Sequence, residues 1–295
     1  MNKASLGAST ASLANYSLLD AVAKIKDLGF ETVELLAFDG ARHSVGNLAG
    51  FWFNRMAQSE KAALRRSLQG FKHIATHLPF IDIPLFSHNP DIAEFCRQHL
   101  KMSIEGSGYF GATAAAIHVY PKIGFKFGEY WDEMIATFRD LGDHAAKYGV
   151  KLGIETGCPN TINEYTQLIL NVDHPFVGGL IDVGHCFFYS DVVRKPDERG
   201  TPEAVQRGND CLIRIVETLA GRDAPLGRLC HFHLHDVRQK DWRDHRAVGR
   251  GIIDFPRLFQ TLKKIRYDGM LTFELEEMDL LDALIESNAA IERLM

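Results

Sequence analysis

Four apolar runs in this chain each stop on a side chain able to ligate a metal. Lys151-Leu152-Gly153-Ile154 ends on Glu155 and Gly178-Gly179-Leu180-Ile181 on Asp182. Leu229-Cys230-His231-Phe232 ends on His233 and Met270-Leu271-Thr272-Phe273 on Glu274. Three carboxylates crowded on one rim would repel each other and raise their pKa values. A divalent cation removes that conflict, and three carboxylates with one imidazole suit a hard or borderline ion such as Mn²⁺, Mg²⁺, Co²⁺ or Zn²⁺. Each residue also has an ordinary reading on its own. Asp182 is placed like a helix N-cap, Glu155 like the partner of a nearby Lys or Arg, and any one of His231, His233 and His235 like a packed core histidine. The four at successive strand ends favour the metal reading. Two further runs end on imidazoles, His77 and His118. These either line a pocket, bind substrate, hold a second metal or serve packing.

The elements that must bring these ends together alternate along the whole chain. A short strand at Leu6–Ser9 precedes a helix capped by Ser17, with Asp20 three residues on and Leu18, Ala21, Val22, Ile25 and Leu28 on one face. Thr32–Leu36 is the next strand. A loop rich in Gly and aromatics (Phe38–Phe53) leads to a helix near Ser59–Leu68, then the strand Lys72–His77. Asn89-Pro90-Asp91 opens the third helix, and Ala114–Val119 forms strand four. Ile135, Phe138, Leu141 and Ala145 define the face of the fourth helix. Thr161 with Glu164 caps the fifth, and Pro202 opens the sixth. Asp254 and Pro256 begin the seventh, with Leu258, Phe259, Leu262 and Ile265 on its apolar face. Asp279 caps the last, through Leu284 and Ile285. Eight strands apolar on both faces, alternating with eight helices, predict a closed (β/α)8 barrel of the TIM type, with residues 1–295 as one domain. An open doubly wound sheet is the alternative. It is weakened by the lack of a Gly-rich phosphate loop after the first strand and of a Walker-type Gly-Lys-Ser/Thr. In the barrel, all strand C-termini face one rim, where the chemistry resides. The longest irregular stretch, Ser190–Thr201, reads as either a lid on that rim or a mobile surface loop.

Composition narrows the function. The 295 residues are 46% hydrophobic and 24% charged, ordinary for a soluble globular protein, and the net charge of −5 offers no general attraction to nucleic acid or anionic membrane. Five cysteines without paired spacing read as reduced thiols in a cytoplasmic protein. Met1–Ala4 opens no signal-peptide pattern, and no run is long enough to span a bilayer. A homo-oligomer is compatible with the sequence, which carries no mark for or against one.

The most specific motifs are Ile181-Asp182-Val183-Gly184-His185, His231-Phe232-His233-Leu234-His235-Asp236, and Gly249-Arg250-Gly251-Ile252-Ile253-Asp254-Phe255 followed by Tyr267-Asp268-Gly269 and Glu274. With them the chain resembles, over nearly its whole length, the xylose-isomerase-like barrel superfamily. That group holds sugar isomerases and epimerases, inosose and dehydroshikimate dehydratases, and the endonuclease IV type of abasic-site nuclease. The resemblance to the epimerase branch implies a metal set of Glu155, Asp182, His233 and Glu274, with His185 on the substrate. The pair Glu155 and Glu274, on opposite sides of one proposed ion, reads as an acid/base pair working through an enediolate of a sugar-like compound. The dehydratases would use the same metal site. The nuclease branch would use His77, His118, His185 and His245 for further zincs. It also needs an Asp two residues before the last of these, where Arg243 stands, with Asp244 one step late. The ketohexose epimerases place an Arg six residues after the strand-seven His; here that residue is Gln239, with Arg238 and Arg246 nearby. His77, His118, His245 and Arg246 are thus candidates for a second metal or the substrate. Trp52 and Phe53 are read as an apolar wall against the sugar or as packing. Lys122, Lys126, Arg246 and Arg250 are the rim-loop cations available to a phosphate.

Overall fold

The computed structural model describes residues 4–221 and 228–295; Met1–Lys3, at the start of the stretch searched for a signal pattern, lie outside it. Eight parallel strands close into a barrel: β1 (Ser5–Ser9), β2 (Thr32–Leu36), β3 (His73–His77), β4 (Ala114–Ile117), β5 (Lys151–Glu155), β6 (Val177–Asp182), β7 (Leu229–Leu234) and β8 (Met270–Phe273). Each strand pairs with its neighbours in chain order, and β8 returns to β1 through Ser5↔Met270. β2, β4, β6 and β8 are buried along their whole length, as expected when helices cover the outside and side chains fill the inside. Close approach sets some residue choices. A Cβ at Gly7 would lie 2.4 Å from the Thr32 carbonyl oxygen of the adjacent strand.

Eight helices surround the barrel: α1 (Leu18–Asp27), α2 (Gln58–Ser67), α3 (Pro90–Tyr109), α4 (Trp131–Ala146), α5 (Ile162–Val172), α6 (Pro202–Ala220), α7 (Phe255–Lys264) and α8 (Leu280–Glu292). Their starts follow the capping residues. Ser17 accepts from Asp20 N, Thr161 from Glu164 N and Asp254 from Arg257 N. Asp279 departs from the expectation. It occupies the N-cap position of α8 without capping it, because its carboxylate instead takes the Arg250 guanidinium at 2.7 Å. Within α8, Leu284 is buried while Ile285 is half exposed. One apolar layer joins the helices' inner faces to the outer faces of the strands.

Two short antiparallel hairpins rise from the C-terminal rim. One pairs Arg42–His43 with Gly46–Asn47 after β2; the other pairs Asp236–Arg238 with Arg243–Arg246 after β7. The stretch 190–201 is held at the side, where Arg207 binds both the Val192 carbonyl and Glu198. None of its residues lines the rim cavity. Among the described residues no helix is long and apolar enough to cross a membrane.

Candidate metal centre

Strands β5, β6, β7 and β8 deliver Glu155, Asp182, His233 and Glu274 to one point. One ligand atom from each lies within 4.8 Å of all the others. His233 Nδ1 stands 2.9 Å from Glu274 Oε2, 3.7 Å from Glu155 Oε1 and 4.0 Å from Asp182 Oδ2. It is fully buried, yet no partner meets hydrogen-bonding geometry with it, and Glu155 Oε2 is left in the same condition. Buried polar atoms are rarely left so. An orphaned imidazole nitrogen facing three convergent carboxylates is what a divalent cation would satisfy, so the residues fit the ion that the strand ends suggested.

A supporting layer fixes these four side chains. His233 Nε2–H donates to Glu34 Oε2 at 2.9 Å, a carboxylate from the middle of β2 with no exposure. Glu34 was not singled out from the sequence; the available signal was a lone acid inside the apolar run Thr32–Leu36. Asp182 Oδ1 accepts from His235 Nε2 at 2.7 Å and from the His185 backbone N–H at 2.8 Å. The N-cap position of the short turn His185–Phe188 is Gly184, not Asp182; Asp182 nevertheless takes the first N–H of that turn, from His185, while pointing a carboxylate at the site. The three imidazoles of β7 divide their roles. His231 is the packed core histidine, bonded to Thr272 Oγ1 at 2.6 Å. His233 faces the donors, and His235 props Asp182 while accepting the His245 N–H at 2.9 Å.

Two flanking groups share carboxylates with the central one. His77, His118 and Glu155 form the first, with His118 Nε2 2.9 Å and His77 Nε2 3.3 Å from Glu155 Oε2. Asp182, His185 and His245 form the second. His77 Nδ1–H donates to the Leu78 carbonyl and His245 Nδ1–H to the Glu274 carbonyl, so both present Nε2 to the site. His245 does so from a left-handed backbone (φ +53°), a strained conformation for a residue with a side chain. The one-residue offset of Asp244 does not carry it away, for its Oδ2 lies 3.9 Å from His185 Nε2.

Charge within the cluster is mutually compensated. Burial would raise the Glu155 carboxyl, but His118, His185 and His233 hold it well below the usual carboxylate range. Burial likewise opposes ionisation of Glu274, which His233 and His245 bring down to about 2. Burial works against an imidazolium at His185, yet Asp182 and Glu155 carry it up to about 10. His77, buried beside Glu155, is carried up to about 8.

The cluster floors a cavity of about 330 Å³, within the range of small-molecule sites. Glu155, Glu274, His77, His118, His185 and His245 line it from below, and Leu36, Phe80, Ile81 and Leu275 form its apolar walls. Arg42 and His43 reach it from the first hairpin, whose Ser44 donates to Glu276 Oε2 and accepts from Arg243. Of the two readings of Trp52 and Phe53, the contacts are those of packing: Phe53 on Tyr109 and Phe110, and Trp52 on Phe38 and His99, with neither lining this cavity. Arg246 does not join the site. Its guanidinium is bound by Glu277 and the Glu276 carbonyl. Arg238 is paired with Asp241 and Arg250 with Asp279 and Glu286, and neither they, Lys122 nor Lys126 lines the cavity.

Residues 22–294 match the family model of the xylose isomerase-like TIM barrel, and the chain belongs to that family. Inosose dehydratase of Lactiplantibacillus plantarum is 27% identical over 167 residues, a match spanning 50% of this chain and 47% of that protein. L-ribulose 3-epimerase of Methylomonas sp. (strain DH-1) is 24% identical over 195 residues, 65% of this chain and 57% of that protein. The chain thus spans about half the length of these curated relatives. Among solved structures, a D-tagatose 3-epimerase-like protein superposes with a TM-score of 0.72 at 20% identity, over 98% of both chains. The IOLI protein, crystallised with a binding zinc atom, superposes at 0.71 and 16% identity, again over 98% of both.

Proposed function

We propose that this protein is a divalent-metal-dependent isomerase or epimerase of a sugar or sugar-like polyhydroxy carbonyl compound. The observation that carries the reading is the pair Glu155 and Glu274, two carboxylates on one convergent donor set, both lining the cavity. Glu155, Asp182, His233 and Glu274 would hold the ion. When bound there, the ion supplies Lewis acidity to a carbonyl and its neighbouring hydroxyl. Of the two glutamates, one takes the proton from the carbon beside the carbonyl. The other returns a proton at the neighbouring carbon or on the opposite face. General acid–base transfer of this kind gives about 10²–10⁴-fold; the remainder falls to the electrostatics of the donor set. His185, which lines the cavity, orients a substrate hydroxyl, and Phe80, Leu36 and Ile81 offer apolar surface to the substrate's carbons. The similarity to an L-ribulose 3-epimerase supports this assignment.

The similarity to an inosose dehydratase supports loss of water after the same proton abstraction as the alternative within this site. A second reading, phosphodiester cleavage by several ions, is favoured by one observation: the flanking groups at His77–His118–Glu155 and Asp182–His185–His245. The test is to incubate the metal-loaded protein in D₂O with a panel of ketoses and keto-cyclitols. Deuterium entering at a carbinol carbon with formation of an epimer or isomer supports the proposal. An absorbing enone instead indicates the dehydratase. No exchange, together with three bound zincs and cleavage of abasic DNA, overturns it in favour of the nuclease.

A further inference from the structure

Glu34 is the buried acid that the reaction itself does not use. It lies in β2 with no exposure, and none of the Lys or Arg side chains among the described residues pairs with it. Its Oε1 has no partner, and its Oε2 receives one hydrogen bond, from His233 Nε2 at 2.9 Å. His231 Nε2 stands off at 3.7 Å, engaged by Thr272. A buried carboxylate so poorly satisfied is costly to the fold, and an apolar residue would serve the barrel interior better.

We propose that Glu34 is a positioning residue for the metal site, an inference that rests on the metal reading above. An ionised carboxylate can only accept, so it keeps a proton on His233 Nε2 and fixes the ring plane. The opposite nitrogen is then turned as a lone-pair donor toward Glu155, Asp182 and Glu274. The negative charge behind the ring also makes Nδ1 a stronger ligand, and losses of such partners typically cost 10–100-fold in metal affinity. Gln at position 34 keeps the shape but loses the charge. It can also turn its NH₂ to Nε2, which moves the ring proton to Nδ1 and blocks the ligand atom.

The experiment compares wild type, Glu34→Gln and Glu34→Ala in zinc affinity by chelator competition. Thermal unfolding in EDTA and the imidazole ¹H–¹⁵N spectrum of the metal-free proteins accompany it. The expected result is a 10–100-fold weaker zinc affinity in E34Q and at least as great a loss in E34A. A low-field Nε2–H resonance of His233 is expected in wild type and should vanish in E34A. A merely structural Glu34 would lower the metal-free melting temperature while the folded variants bind zinc as wild type does, and that result overturns the proposal. Wild-type protein that takes up no zinc would instead sink the metal reading itself, and the role of Glu34 with it.

Discussion

Asp236→Asn should damage this protein more than any other isosteric change near the rim. Asp236 follows the β7 histidines, is 1% exposed, and spends both oxygens on backbone. Oδ1 accepts from Val237 N at 2.9 Å and Ile253 N at 3.0 Å; Oδ2 accepts from Gly249 N at 3.0 Å and Gly251 N at 2.9 Å. This one carboxylate therefore folds the motif Gly249–Phe255 back over the hairpin that carries Asp244 and His245. The glycine at 251 is required, because a Cβ there would lie 2.3 Å from Asp236 Oδ1. In the Asn variant, an NH₂ replaces an oxygen that two N–H groups were using. Bonds to a charged acceptor are worth about 1.5–3 kcal/mol each, so losing two removes about 3–6 kcal/mol before counting donor–donor repulsion. Against a typical total of about 5–15 kcal/mol, this brings the variant close to unfolding at ambient temperature. Urea titration followed by circular dichroism measures it as a fall in midpoint at unchanged slope. A loss below about 1 kcal/mol would refute the reasoning, since it would mean that water replaces the carboxylate without cost.

Three further outcomes follow from the site. Glu274→Gln should leave the circular dichroism spectrum unchanged and lower turnover by at least about 10²-fold; full activity with metal retained would remove Glu274 from the mechanism. Without an ion, the imidazoles at His77, His185 and His233 are held protonated by the carboxylates around them. An ion must displace the proton at His233 Nδ1, and its charge disfavours the protons on His77 and His185, so zinc affinity should climb as pH rises and fall as it drops. Calorimetry in buffers of different ionisation enthalpy should report about one proton or more released per ion near pH 7; a buffer-independent heat would contradict this. Ser44→Ala unclasps the first hairpin from Glu276 and Arg243 and should cost only about 1 kcal/mol in stability. Amide exchange over 42–47 should speed up clearly, and unchanged protection there would show that the hairpin is held by something else.

Much of this architecture could be read in the chain because a parallel barrel writes its plan in local patterns. Strands buried on both faces are continuous apolar runs, and the polar residue that ends such a run lands on the catalytic rim. That is why Glu155, Asp182, His233 and Glu274 could be grouped before their geometry was known. What stayed hidden depends on contacts between distant segments. Glu34 sits inside a strand instead of at its end, and only the closure of β2 toward β7 shows that its target is His233. Trp52 and Phe53 follow a rim strand, but Gly106 leaves room on α3 for the Phe53 ring, which turns outward. Asp279 has the residue type and place of a cap, yet Arg250, 29 residues earlier, takes its carboxylate. Arg246 lies beside the site in sequence, but Glu277 claims it.

Anomalous diffraction from crystals grown with Mn²⁺ or Zn²⁺, paired with elemental analysis of the dissolved protein, locates and counts the ion at these strand ends. A strong peak bonded to Glu155, Asp182, His233 Nδ1 and Glu274 is expected, present at one ion per chain before any flanking position fills. A site without a peak at saturating metal, or a peak that avoids His233 Nδ1, would contradict the metal reading.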